Sequence, residues 1–270
     1  DRLFLALAAG LLGLIVLIAG EAVWRLLTVL LAGVVSLVIV LVPCLAAGVP
    51  PIAAGLLAGV TFIIAAALLL GRAGKLSLGI VAGATGGIVA AAALALLAVA
   101  AGRLTGVYSS LTKDLWYNPV TRGLNFPQLL CAGMIVGTCG IIVDLAAAVS
   151  SAIHEVRQAN PLLTRRQLAA AGLAVGRDVM GTELNTLVFA YAGAHAGVLL
   201  LPMLSSAVPG FEIPALRIFS QQAVAIDVLQ MLVGTTALVL TIPITAAATA
   251  LLLGRGRLLP DVAGMIRRRG

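Results

Sequence analysis

The sequence predicts an all-α fold, a polytopic bundle of about seven transmembrane helices with its N-terminus outside and its C-terminus inside. Three observations lead there. Hydrophobic residues make up 61% of the chain and charged residues only 10%, against about 25% charged in soluble domains; mean hydropathy is +1.16. Apolar runs of bilayer length follow one another from end to end, and Lys and Arg fall in the short gaps between them. Long unbroken runs point to helices, because a membrane barrel would show alternation over strands of about ten residues.

At roughly 20 apolar residues per crossing, the spans are expected near 3–20, 23–43, 50–70, 79–101, 129–156, 178–204 and 220–252. The first run lacks the basic start and small-residue cleavage site of a signal peptide, and the chain begins with Asp1, so a processed or truncated N-terminus is expected. Of the 17 Lys and Arg, twelve fall on the side holding Arg25, Arg72, Lys75, Arg157, Arg165, Arg166, Arg177 and the tail arginines. The other five are Arg2, Arg103, Lys113, Arg122 and Arg217. The positive-inside rule puts the richer side in the cytoplasm.

The whole chain, 1–270, reads as one transmembrane domain with three appendages. An extracytoplasmic loop at 102–128 carries Trp116, Tyr117, Pro119 and Pro127, and suits an interfacial position. A cytoplasmic connecting helix at 157–177 restarts after Asn160-Pro161 at a Thr164/Gln167 capping box. A basic cytoplasmic tail occupies 255–270. Glycines recur at four-residue spacing (Gly55 and Gly59; Gly79, Gly83 and Gly87; Gly133 and Gly137; Gly193 and Gly197), a pattern that permits close helix approach.

The fifth span contains a carboxylate, Asp144, near its centre, and an intramembrane acid is a functional-site hypothesis by default. At about 100° per residue, Asp144, Ala148, Ser151 and Glu155 share a face, as do Asp178, Thr182 and Asn185 on the sixth span, with Thr186 at the edge. On the seventh, Ser220, Asp227, Gly234, Thr241 and Thr245 form one stripe. These stripes are expected to line a pathway, with Asp144, Asp227, Glu155 and Asp178 as a proton or ion relay and Ser151, Thr182, Asn185, Thr186 and Thr241 as polar partners. Asp178 is expected near the cytoplasmic surface at a helix start, and Glu183 on a different face, off the path. Dry surroundings disfavour a charged carboxyl, so an acid whose water access alternates can load a proton on one side and release it on the other. In the structural alternative Asp144 hydrogen-bonds Asn185, Thr182 or Thr241 and locks the bundle.

Other classes fit poorly. Cys44, Cys131 and Cys139 have no partner Cys or His at ligand spacing, and His154 and His195 lack a metal or triad arrangement, so no metal, no cofactor and no enzyme activity are expected. No nucleotide fingerprint is present, and the basic residues do not form a nucleic-acid surface. Asp144 in IIVDL differs from the GxGD signature of intramembrane aspartyl proteases.

The residues Asp144, Ser150, Ser151, Glu155, Asn160 and Pro161, followed by Gly176-Arg177-Asp178, Thr182, Asn185 and Thr186, resemble the hallmark region of the YibE/F family of prokaryotic membrane proteins. The resemblance is specific from Cys131 to Tyr191 and extends through Leu232–Ala246. Residues 1–125 match mostly in hydropathy. Glu183 departs from a position usually apolar or small, and Gln222 and Asp227 stand where acidic residues precede the last span. The resemblance implies a multi-pass protein of the prokaryotic plasma membrane, in a family whose members commonly carry a further N-terminal span and extracytoplasmic segment. A fainter similarity of arrangement links the chain to the membrane halves of resistance-nodulation-division and SecD/SecF-type proteins. The expected function is therefore a proton-coupled secondary transporter or energy-coupling membrane subunit, the alternative a non-transporting scaffold or accessory subunit. The expected partners are the lipid bilayer, an unidentified small substrate or ion, and a second copy or membrane subunit.

Overall fold

The computed structural model describes residues 10, 13, 21–69, 74–108, 110–118, 123–194 and 222–254. Its elements are helices: α1 (Glu21–Ser36), a π-helical stretch (Leu37–Leu41), α2 (Val42–Ala46), α3 (Pro51–Leu69), α4 (Lys75–Ala101), α5 (Ser110–Tyr117), α6 (Phe126–Ala159), α7 (Arg165–Ala194) and α8 (Gln222–Leu253). Among the described residues, five stretches are long and apolar enough to cross a membrane: Leu27–Ala46, Pro51–Leu69, Lys75–Ala101, Phe126–Ala159 and Val224–Leu253. They correspond to the second, third, fourth, fifth and seventh expected spans. The first expected span, apart from residues 10 and 13, lies outside the described residues, as do 195–221 and the basic tail.

Local sequence explains the breaks. Pro43 has no N–H to offer the carbonyl four residues earlier, and the helix widens to π geometry just before it, over Leu37–Leu41. Asn125 caps α6, its side chain accepting from the Gln128 N–H at 3.1 Å, with Pro127 in the first turn where no N–H is needed. Gly106 must be glycine twice over: its φ is +76°, and a Cβ there would stand 2.3 Å from the Phe126 carbonyl oxygen.

The expected connecting helix and the described part of the expected sixth span, 178–194, are one continuous helix. The capping box forms as read, with Gln167 Oε1 accepting from the Thr164 N–H (3.0 Å) and the Gln167 N–H donating to Thr164 Oγ1 (3.4 Å). From there α7 runs unbroken to Ala194, past Gly176-Arg177-Asp178, where the sequence reading began a new helix. Its three basic and two acidic residues keep it out of the set of bilayer-length apolar helices. The reason it continues is packing: Leu168, Gly172 and Gly176 are all buried on one face, and Gly172 sits against Ile153 and Gly176 against Ile242.

The core is shared by α3, α4, α6, α7 and α8. Ile63, Ile80, Ile88 and Ile142 pack between α3, α4 and α6, Val149, Ile153, Leu168, Leu238 and Ile242 between α6, α7 and α8, and Val99, Leu130, Met134 and Ile226 close one end. The most extensive packing joins α4 to α8. Along that seam Gly79, Gly83 and Gly87 receive Thr249, Thr245 and Thr241 in antiparallel register, so this four-residue glycine repeat is a true close-approach face. By contrast, a Cβ at Gly133 or Gly193 would meet nothing within 4 Å.

Candidate functional site

Asp144 falls near the midpoint of the 34-residue α6, roughly 27 Å from its start and 22 Å from its end at 1.5 Å per residue. It is exposed at the helix surface, while its neighbours Val143, Leu145 and Ala146 are buried. On one side it borders a cleft of about 440 Å³ between α1 with its π-helical extension, α3 and α6, walled by Val34, Leu37, Phe62, Val136 and Gly140. Among the described residues Asp144 supplies the only carboxyl in that wall. The Ser36 hydroxyl, also at the cleft, is occupied, donating to the Ala58 carbonyl at 2.7 Å.

Glu183 of α7 is the charged group that acts on Asp144 among the described residues. The Asp178 face and the Glu183 face are distinct, as the periodicity predicts, and it is Glu183, expected to lie off the path, whose charge reaches Asp144. Gly176, Glu183 and Leu187 lie within about 40° of one another on α7 at 100° per residue, and Gly176 and Leu187 are buried against the bundle. Glycine lets the backbones approach, so the glycine face turns inward and takes Glu183, half-buried, with it. That phase, readable from Leu168, Gly172, Gly176 and Leu187, is the signal by which Glu183 could have been found.

Asp178, Thr182, Asn185 and Thr186 therefore face outward, all exposed, together with Arg177. The Thr182 hydroxyl donates to the Val179 carbonyl (2.7 Å) and that of Thr186 to the Thr182 carbonyl (3.0 Å). Their place on the helix also differs from the expected helix start. Gly176 sits on Ile242, about 17 Å inside the Leu253 end of α8 by helix rise, so Arg177 and Asp178 lie beside the apolar middle of α8 and in mid-helix.

The remaining expected residues are dispersed. Thr241 is fully buried in the α4–α8 seam and donates to the Ala237 carbonyl at 2.7 Å, facing Gly87 instead of Asp144. Ser151 donates to the Ala147 carbonyl at 2.5 Å, and Glu155 is exposed one turn further along α6. A buried hydrogen bond of 2.9 Å joins Ser150 to Thr249 across α6 and α8. Asp227, half-buried near the start of α8, acts electrostatically on Tyr108 of the 102–125 loop. Burial, and secondarily the Asp227 charge, push the Tyr108 phenol above its ordinary pKa. Asp227 and Asp144 thus belong to separate parts of the molecule. Cys139, with its thiol donating to the Ile135 carbonyl at 3.1 Å, and Cys131 are buried packing residues. Among the described residues no three His, Cys, Asp or Glu side chains are placed to hold a metal.

A bundle of bilayer-length apolar helices with a carboxyl midway along one of them defines a polytopic helical membrane protein. The chain matches the YibE/F-like protein family over residues 7–255 and belongs to that family. No curated protein and no solved structure matches it.

Proposed function

We propose that this chain is a proton-coupled secondary transporter, or the membrane subunit that couples proton movement to work, in the plasma membrane of a prokaryote. The observation that carries this reading is Asp144, a carboxyl near the middle of a helix long enough to span the bilayer, held at the helix surface within electrostatic reach of a second carboxyl, Glu183. An isolated ionised acid at the bilayer centre costs about 2.5–3.5 kcal/mol on insertion scales. Two neighbouring carboxyls repel when both are charged, so a proton bound at one relieves the other. That is the behaviour a carrier needs.

The outward stripe of Arg177, Asp178, Thr182, Asn185 and Thr186 supports the same reading. A polar face beside the apolar middle of α8 calls for water or a partner against it, as in a pathway or an assembly with a second subunit or copy. Asp178 and the polar side chains near it then extend the relay along α7, Glu155 and Ser151 extend it along α6, and Asp227 forms a separate relay point next to Tyr108.

The test is proton flux into proteoliposomes carrying the purified chain under an imposed pH gradient, with Asp144→Asn, shown by melting to be folded, run in parallel. Flux that is present in the parent and absent in the variant supports the carrier role. Equal flux in both removes Asp144 from the carrier role, and flux in neither favours the non-transporting scaffold.

A further inference from the structure

The cleft beside Asp144 is not consumed by proton exchange. Its volume of about 440 Å³ falls within the roughly 300–1,000 Å³ of small-molecule sites. Its walls are aliphatic and aromatic, from Val34 and Leu37 on the α1 side to Phe62 of α3 and Val136 of α6, and they would gain from covering an apolar body at roughly 25 cal/mol per Å². Among the described residues the lining carries no Lys or Arg, its hydroxyl at Ser36 is already bonded to Ala58, and its one carboxyl, Asp144, is acted on by the charge of Glu183. Among these described residues an anionic ligand finds no cationic partner and a neutral polar one no free hydroxyl donor. A molecule with an apolar body and one positive charge matches both the walls and the carboxyl, since an unpaired charge away from water is costly and pairing offsets much of that cost.

We propose that this cleft binds an amphiphilic organic cation, its apolar part between α1, α3 and α6 and its charge at Asp144. The proposal names the substrate class for the carrier proposed above and rests on that reading for its role in transport, though the binding itself does not. A proton and the cation then compete for one carboxyl, so occupancy by either excludes the other, which is the simplest way to couple their movements in opposite directions.

The experiment is equilibrium binding of tetraphenylphosphonium to the purified full chain in detergent, with proton flux measured on the same preparations after reconstitution. Two variants are used. Asp144→Asn removes the charge. Gly140→Leu fills the cleft from a position where a Cβ meets nothing within 4 Å, leaving Asp144 in place. Saturable binding in the parent, weakened at least tenfold in both variants while each melts as a folded protein, is the expected result. Binding that persists in Asp144→Asn overturns the proposal, as does binding unaffected by Gly140→Leu. A cleft found by mass spectrometry to hold a co-purified phospholipid that the probe does not displace also overturns it. Asp144-dependent proton flux without probe binding sinks the substrate class and leaves the carrier standing. Probe binding that needs Asp144, in a protein that moves no protons, keeps the cation site and sinks the carrier.

Discussion

Replacing Gly83 with alanine probes the packing that holds α4 against α8. The added Cβ would stand 2.2 Å from Thr245 Oγ1 and 2.7 Å from both the Thr245 Cβ and Cα. Carbon atoms in ordinary contact sit about 3.5–4.0 Å apart, so a rotamer change at Thr245 cannot relieve the clash with Cα and the two helices must separate by about 1 Å. Overpacking of this kind costs about 1–3 kcal/mol. The upper half of that range is expected, because Gly79 and Gly87 lie in the same seam, with Cβ positions 2.5 Å from Thr249 Oγ1 and 2.2 Å from Thr241 Oγ1, and lose their contacts together. At roughly 2–4 °C per kcal/mol for a chain of about this size, melting in detergent should fall by roughly 5–10 °C. Thr245→Ala should not rescue it, since the Thr245 Cα remains. Gly133→Ala, where a Cβ meets nothing within 4 Å, should melt at or above the parent temperature, alanine being the better helix former. If Gly83→Ala melts with the parent, the helices are not packed along this face and the reasoning fails.

Four further outcomes are expected. Thr164→Ala removes the acceptor for the Gln167 N–H and should cost about 1 kcal/mol, read as a lower melting temperature with proton flux retained. In a double-mutant cycle of Ser150→Ala and Thr249→Val, each single change strands a buried hydroxyl at a cost of about 1–3 kcal/mol, and the double change should cost clearly less than the sum. Asp227→Asn removes the smaller of the two upward influences on Tyr108, so the phenol should ionise at a lower pH than in the parent yet above the ordinary tyrosine value, followed by ultraviolet phenolate absorbance. Glu183→Gln should change the pH profile of Asp144-dependent proton flux, whereas a purely structural Glu183 would leave that profile in place and lower only the melting temperature.

The apolar helices were legible because hydropathy and length alone decide whether a segment can cross a bilayer, and five of the expected spans stand within a few residues of their expected bounds. The helix that hydropathy misjudged is α7. Arg177 and Asp178 read as a boundary, since a charged pair after a glycine usually marks a surface, yet Leu168, Gly172 and Gly176 bind the segment to α6 and α8, and tertiary packing prevails over the local signal. The same packing decided the site. Periodicity correctly placed Asp178, Thr182 and Asn185 on one face and Glu183 on another, but it carries no information on which face turns inward; the small residues did. Thr241 was read as a polar pathway residue because a hydroxyl in an apolar run draws attention, whereas opposite Gly87 it is a packing group whose proton is spent on the Ala237 carbonyl. Asp144 itself stood out because no local pattern accounts for an acid in IIVDL.

The most direct test of the central claim is infrared difference spectroscopy on the protein reconstituted in lipid, comparing spectra across a pH step in the parent and in Asp144→Asn. The account predicts a protonated-carboxyl carbonyl band that appears and disappears with pH in the parent and is missing from the variant. Identical difference spectra in the two proteins would mean that Asp144 does not exchange a proton, and would contradict the account.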